Sequence, residues 1–423
     1  MADTGLVITR HIQPHKLKYT PPGQYSAASS FHHYEAIIIK DSMQELIRKG
    51  RETEMLSKVK GKLGVMNLLA YWEPLKSNGE AWSTEIYLPN NNDRNSFWWK
   101  LFDTEMESEV PECEIRHRII QVLGSEGFSL TIVNSTWKLF ESITHAMLGW
   151  LTMYQEGYLH RDVSIGNILR LKKPEHRERF HILPKFKQGA SDGTRDQLVR
   201  NVQIEVKKQA EQLEILIEEL GITNECVAVI ADGGMCIEVE ECFKERGLHV
   251  RSGTQEFMSN ALLKLQRATE QHDQSPVDDL ESFFWVTLWT LMNHTKFAGL
   301  RTKEEEEWGT SLCHGIDRRT FVAVEVNDLS DVRAVDHCQI IRDSCKFMQD
   351  FYRLIASIRD LPLLVKQEGR NDPSEEFVMW KWHSWAFEGV RRFLELIKKH
   401  KDQLISCPPY QALALRGAGQ SSS

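Results

Sequence analysis

Tyr158-Leu159-His160-Arg161-Asp162-Val163-Ser164-Ile165-Gly166-Asn167-Ile168-Leu169 is the segment that orients the rest of this chain. It sets a His-Arg-Asp triplet behind a helical stretch and an Asn five positions after the Asp, just ahead of apolar residues. A carboxylate can accept the proton of an attacking hydroxyl, and a nearby amide oxygen can hold a divalent cation. Asp162 and Asn167, on one tight loop, meet both demands. A bare His-Arg-Asp would be a surface turn; helix, loop and spaced Asn together form a far more specific pattern.

Working upstream, Asn134 or Ser135 can cap a helix whose apolar stripe is Trp137, Phe140, Met147, Leu151 and Tyr154, and Gly157 stops it. Before it, Arg118 to Leu123 predicts a strand, and Gly124 to Gly127 a link. Residues 75–112 are polar, Asn-rich and acidic, as a loop insertion would be. Val65 to Trp72 predicts another strand, and Met43 to Lys60 a helix carrying Leu46, Met55, Leu56 and Val59. Tyr34 to Ile39 predicts a short β-branched strand ending at Lys40, preceded by a loose leader over 1–30.

Downstream, Val227 to Ala231 is a short apolar strand ended by Asp232-Gly233-Gly234. Helical patterns follow at Leu280 to Met292, Gln339 to Ile358 and Phe377 to Lys399, and residues 406–423 form a Gly/Ser-containing tail expected to be disordered. Strands first and helices later predict an α+β protein, a small strand-rich lobe over 31–127 joined to a larger, mostly helical lobe over 128–405, with a cleft between them.

Composition sets the outer bounds. The 423 residues (49.0 kDa) allow two to three domains at about 150 residues each, and 41% hydrophobic content supplies a substantial core. A net charge of -8 and a pI near 6.1 remove any whole-chain electrostatic case for binding nucleic acid or an acidic membrane. Met1 to Pro14 has no apolar signal-type stretch, and the most apolar run, Phe283 to Met292, is half the length of about twenty residues needed to cross a bilayer. Eight scattered Cys with no C-x-x-C pair predict a reduced intracellular protein, cytoplasmic and/or nuclear, without structural zinc.

The segment around Asp162, with Asp-Val-Ser-Ile-Gly-Asn-Ile-Leu rather than Asp-Leu-Lys, resembles the fungal-type protein kinase family of the protein-kinase-like superfamily. The resemblance runs in blocks over about residues 34–295: Lys40-Asp41-Ser42 with Arg51-Glu52-Thr53-Glu54, Arg116 to Asn167, Gly253-Thr254-Gln255-Glu256-Phe257-Met258, and Asp278-Asp279-Leu280-Glu281-Ser282-Phe283-Phe284-Trp285. It implies a two-lobed kinase fold that uses ATP and Mg²⁺ to phosphorylate a Ser/Thr hydroxyl of a protein substrate. On that footing Asp162 is the catalytic base, in a loop with His160, Arg161 and Ser164. Asn167 and Asp232 hold the metal, and Lys40 engages nucleotide phosphates. Glu52 is the first choice to hold Lys40 in place and Glu54 the second. Thr254 floors the acceptor site, and Asp279 bonds backbone of the catalytic loop.

The chain also departs from the kinase pattern. No G-x-G-x-x-G precedes Lys40, so the phosphate cradle is unassigned, with Ser26 to Ser30 a glycine-free alternative. Gly233 stands where Asp-Phe-Gly has its Phe, and an isolated Asp-Gly-Gly is ordinarily a turn. Ser164 stands where typical Ser/Thr kinases carry Lys, a trait the family shares. Ser259-Asn260-Ala261 replaces Ala-Pro-Glu, so the usual buried Glu–Arg pair is expected to be absent. Between Asp232 and Gly253 the one hydroxyl residue is Ser252, amid Glu238, Glu240, Glu241 and Glu245. Either one of these Glu pairs Arg161 constitutively, or the loop is a solvated acidic run.

Sixty-five positions separate Asn167 from Asp232. The extra part, about 171–223, starts basic and becomes a helix from Asp196 to Leu220, with Leu198, Val202, Val206, Leu213, Ile217 and Leu220 on one stripe. It could recruit a protein partner or pack on the larger lobe. Two other functions stay open: a pseudokinase that binds without chemistry, and a small-molecule phosphotransferase resembling the aminoglycoside phosphotransferases.

Overall fold

Ile38 and Ile39 begin a strand that does not stop at Lys40. In the computed structural model, which describes residues 6–8, 37–84, 115–188, 196–244, 253–264, 274–362 and 374–410, this strand runs eight residues. The chain divides into two compact units, residues 1–60 with 66–126 and residues 61–65 with 127–423. Of the leader, residues 6–8 are described; Tyr34 to Ala36, Ser26 to Ser30 and the insertion beyond residue 84 up to 114 lie outside the described residues.

In the first unit β1 (Leu6–Ile8), β2 (Ile38–Glu45), β3 (Leu68–Trp72) and β4 (Arg116–Leu123) form one antiparallel sheet in the order β1-β2-β4-β3. β2 and β4 pair along their whole length, from Ile38 opposite Leu123 to Glu45 opposite Arg116. This ladder overrides the helical spacing expected from Met43. Opposite charges meet across it, Asp41 with Arg118 at 2.5 Å and Glu45 with Arg116 at 3.6 Å. The helix is therefore confined to α1 (Arg51–Lys58), entered through Gly50 at φ +79°, and it buries Met55 and Leu56. The strand expected from Val65 starts at Leu68. Residues 61–65 belong with the second unit, where the Ile230 N–H donates to the Gly64 carbonyl at 2.8 Å.

The second unit begins with β5 (Gly127–Ser129) and α2 (Thr136–Gln155), whose N-cap is Ser135, its hydroxyl accepting from the Lys138 N–H at 3.3 Å. α2 is buried on nearly every face, so it forms the axis of this core; each such apolar side chain contributes about 1.5–3 kcal/mol. β6 (Tyr158–Leu159), β7 (Ile168–His176), α3 (Pro184–Lys187), α4 (Gln197–Glu219), β8 (Glu225–Ile230), β9 (Ile237–Glu238) and α5 (Val239–Lys244) follow. Next come α6 (Asn260–Lys264), α7 (Pro276–Asn293), α8 (Lys303–Ser311), α9 (Ile316–Asn327), α10 (Asp331–Ala334), α11 (Gln339–Arg359) and α12 (Glu375–Ser406). β5, β7 and β8 make an antiparallel sheet, and β6 pairs with β9. α11 packs on α12 through Phe347, Phe351 and Phe393, with ring centroids 5.1–5.9 Å apart. Among the described residues no helix is long and apolar enough to cross a membrane.

Two expected boundaries move. Residues 171–176, counted with the insertion, are core strand in β7. The tail expected to be disordered from 406 is packed as far as Tyr410, which is 3% exposed, lies edge-on to His294 and Phe297, and shares a 3.1 Å hydrogen bond with the Thr136 hydroxyl. The aromatic ring gives this end of the chain a buried anchor that its Gly/Ser content concealed.

Three histidines, two of them buried and His383 half-buried, make the fold acid-sensitive. Burial, reinforced by Arg170, pushes the His145 imidazole down to about 4, burial with Arg301 and Lys296 does the same to His294, and burial with Lys185 takes His383 to about 3, all from an ordinary 6.5. Each is neutral when folded and protonated when unfolded between those values and 6.5, so stability falls as pH drops through this window. The slope reaches about 1.4 kcal/mol per pH unit for each histidine. Asp279 and Asp343, whose carboxyls burial pushes up, act in the opposite sense toward pH 4. Denaturant unfolding at pH 7, 6 and 5 should show a progressively lower midpoint; a flat profile would contradict these neutral histidines.

Candidate active site

In the first unit the Lys40 ammonium sits 2.9 Å from both carboxylate oxygens of Glu52, the first buried residue of α1. Glu52 is only 2% exposed, whereas Glu54 faces outward and pairs with Lys58 at 3.0 Å. A residue missed in the sequence supports this arrangement. Gln121 lies directly opposite Lys40 on β4, is fully buried, and donates its amide N–H to the Thr53 hydroxyl at 3.2 Å, tying α1 to the sheet beside the ion pair. Its amide oxygen is buried with no hydrogen-bond partner among the described residues. A polar side chain set between Ile120 and Val122 was the available signal.

In the second unit the loop after β6 is held from beneath. Asp279, near the start of α7, is 1% exposed and accepts the backbone N–H groups of His160 and Arg161 at 3.1 Å and the Trp150 indole N–H at 2.9 Å. Burial pushes its carboxyl up, an effect these donors oppose. His160 is fully buried, accepts the Asp162 N–H on Nδ1 at 3.3 Å and, so fixed in tautomer, donates Nε2–H to the Ala231 carbonyl at 3.1 Å. Arg161 adopts φ +67°, a left-handed conformation that costs an L-residue about 1–2 kcal/mol. Its guanidinium donates to the Gln274 side-chain oxygen at 2.9 Å; Glu245 and Ser252 lie outside the described residues.

Asp162 is thereby left with its side chain aimed at two other segments. Thr254 donates both its N–H and its hydroxyl to Asp162 Oδ1, each at 2.8 Å, and the Asn167 amide donates to Oδ2 at 3.1 Å and to the Asp162 carbonyl at 2.8 Å. Gly253 makes this possible: at φ +119° any Cβ would come within 2.8 Å of the Arg161 carbonyl oxygen. Ser164 is buried, and its carbonyl accepts the Asn167 N–H at 3.0 Å, closing the loop.

Asn167 precedes β7 and Asp232 follows β8, and these strands are antiparallel, with Ile168 opposite Ile230 and the Ala231 N–H on the Asn167 carbonyl at 2.8 Å. The sheet thus brings Asn167 and Asp232 to one end of the same hairpin despite their distance in sequence. Asp232 is exposed at φ +58°; with Arg161 it is one of two non-glycine residues in this conformation among those described. Backbone strain concentrated at one locus is a mark of functional constraint. The Asn167 amide commits its N–H groups to Asp162, which turns its oxygen away as a hard ligand, and Asp232 supplies a carboxylate. Among the described residues no three His, Cys, Asp or Glu side chains cluster, so a cation here would rely on this amide–carboxylate set with phosphate oxygens and water, as Mg²⁺ commonly does.

A family model described as fungal protein kinase matches residues 25–291. The chain belongs to the fungal protein kinase family. The match spans both units and includes Lys40, Glu52, Asp162, Asn167, Asp232, Thr254 and Asp279. Compared with the curated proteins, the chain matches none.

This member of the kinase family also holds a buried arginine that no motif announces. Arg319, on α9 and 1% exposed, donates to the Asn260 side-chain oxygen and to the Met258 and Glu256 carbonyls, and stacks on Trp285 with its guanidinium carbon 4.2 Å from the ring centroid. A second buried pair, Glu281 with Arg359 at 2.9 Å, lies beneath it, and Glu281 also accepts the Asn260 N–H at 3.0 Å. At the segment that replaces Ala-Pro-Glu, where the usual Glu–Arg pair was expected to be absent, the buried arginine meets the Asn260 amide in place of a carboxylate. An amide, two carbonyls and a ring face together delocalise the charge where a carboxylate was lacking in sequence.

The insertion is largely spent on packing. α4 runs between its Asp196 cap and Leu220 and buries Val202, Val206, Leu213 and Ile217 toward α12, with Gln209 donating to the Ser384 hydroxyl at 3.3 Å; Leu198 alone of the stripe is exposed. Several of its basic residues are ion-paired: Arg170 with Glu141, Arg177 with Glu175, Arg179 with Glu218 and Lys187 with Glu214. Its apolar stripe is thus occupied by the chain itself.

Proposed function

We propose that the protein is an ATP- and Mg²⁺-dependent phosphotransferase that moves the γ-phosphate to a Ser or Thr hydroxyl of a protein substrate. The observation that carries this reading is the Asp162 carboxylate, held by Thr254 on one oxygen and Asn167 on the other. Bound Mg²⁺ supplies neutralisation of phosphate charge. Asn167 and Asp232 are the residues that hold it. Lys40, kept extended by Glu52, binds phosphate oxygens of the nucleotide. Asp162 aligns the acceptor hydroxyl and receives its proton, while the Thr254 hydroxyl, bonded to the same carboxylate, fixes the height at which that acceptor sits. Most of the acceleration comes from positioning and charge, as phosphoryl transfer requires.

Incubating the purified chain with γ-labelled ATP and a protein mixture, followed by phosphoamino-acid analysis, tests this. Label on Ser or Thr is expected, falling by about 10²-fold in Lys40→Met through loss of one charge contact. Stabilisation by Mg·ATP without any transfer would instead identify a binding module on the same fold. Transfer to small molecules alone would assign the third class.

A further inference from the structure

Within the second unit, away from Asp162, a cavity of about 180 Å³ lies between α2, the turn after α4, the start of β8 and α12. Its walls are apolar where Leu220, Val227 and Ile397 meet, and Trp137 adds an indole face. Its polar content is unusual. His145 is 6% exposed and lines the cavity, and its Nδ1 accepts the Val227 backbone N–H at 3.4 Å. The ring proton of the neutral imidazole is therefore on Nε2, and among the described residues no group accepts it. Of the other polar groups nearby, Thr144 gives its hydroxyl proton to the Phe140 carbonyl at 2.7 Å, and Glu141 pairs with Arg170 at 3.0 Å.

We infer that this cavity is a binding site for a small neutral aryl carbonyl compound, of the benzamide class, whose carbonyl oxygen accepts the His145 Nε2–H. A cavity of about 150 Å³ admits a benzene ring, so this one admits one ring with a short substituent. The ring N–H of His145, on a residue that lines the cavity, has a carbonyl oxygen as its natural acceptor. Glu141 and Glu225 line the cavity and disfavour an anion, whereas the inward N–H of a neutral His145 disfavours a cation. The imidazole stays neutral near pH 7 because burial and Arg170 hold it down to about 4.

Titrating the full-length chain with benzamide, read by saturation-transfer NMR and by thermal shift, tests the assignment. Saturable binding is expected, about tenfold tighter than toluene, the value of one hydrogen bond. His145→Phe keeps the ring and removes the donor, and should weaken benzamide at least tenfold toward the toluene level. Thr223→Trp, at an exposed position on the rim, should block both ligands and leaves the core intact if His145→Phe fails to fold. Saturating Mg·ATP should not displace benzamide. Absence of binding at millimolar benzamide, equal affinity for toluene, insensitivity to Thr223→Trp, or displacement by Mg·ATP would each overturn the proposal. Because none of these readouts needs phosphate transfer, the result stands apart from that of the labelling experiment.

Discussion

Asp162→Ala is expected to lower phosphoryl transfer by about 10³-fold while Mg·ATP still stabilises the protein. The carboxylate has two tasks in the structure: accepting a proton from the incoming hydroxyl, and gathering Thr254 and Asn167 around itself. Alanine removes both. Asp162→Asn separates them, because the amide keeps the shape and one acceptor oxygen for Thr254 but has no lone pair basic enough to take a proton, and its N–H₂ faces the donor group of Asn167. Both variants should therefore be inactive, with Asp162→Asn closer to wild type in thermal stability. Turnover equal to wild type in either would remove Asp162 as the base, whatever becomes of nucleotide binding.

Asp279→Ala is expected to be the most damaging change to stability. Its carboxylate is the buried acceptor for an indole N–H and two consecutive backbone N–H groups, and alanine orphans all three. At about 1–3 kcal/mol for each of the three stranded donors the loss is roughly 3–9 kcal/mol, a large part of the 5–15 kcal/mol typical of a folded domain. It also removes the acceptor that holds the backbone N–H of the left-handed Arg161. Denaturant unfolding followed by Trp fluorescence, with Trp150 as a local reporter, measures this directly. A loss below about 1 kcal/mol would mean that Asp279 is a bystander. Asp279→Asn, which retains one acceptor oxygen, should fall between wild type and Asp279→Ala.

What could be read from sequence was mostly local. The cap and stop of α2, the length of α4 from Asp196 to Leu220, and the five-residue spacing from Asp162 to Asn167 are set by near neighbours, so the pattern carried them. Features decided by distant partners were hidden. The stretch Lys40 to Glu45 is charged and polar and reads as the start of a helix, but β4, some seventy residues away, supplies the matching ladder and the arginines that make it a strand. Tyr410 looked like part of a loose end because Thr136, His294 and Phe297 are remote in sequence. The clamp of Arg319 on Asn260 was invisible for the same reason, as was the bond from Arg161 to Gln274. Both are amides doing work for which a charge pattern alone would select a carboxylate. Thr254 entered through family resemblance; no spacing rule linked it to Asp162.

The β7–β8 hairpin bears on how such a chain can change without losing its chemistry. Its two strands meet tightly at Ile168 and Ile230, where Asn167 and Asp232 emerge, and residues 177–224 are spliced in at the opposite end, beyond His176 and Glu225, roughly 20 Å along the ribbon. The arrangement acts like a pair of tongs: the tips are set by the rivet of strand pairing, and the handles can be any length. Since the entropy of joining two ends grows only as the logarithm of the connection, about 0.6 kcal/mol per doubling, evolution could enlarge this handle into a helix seated on α12 at little thermodynamic cost to the grip.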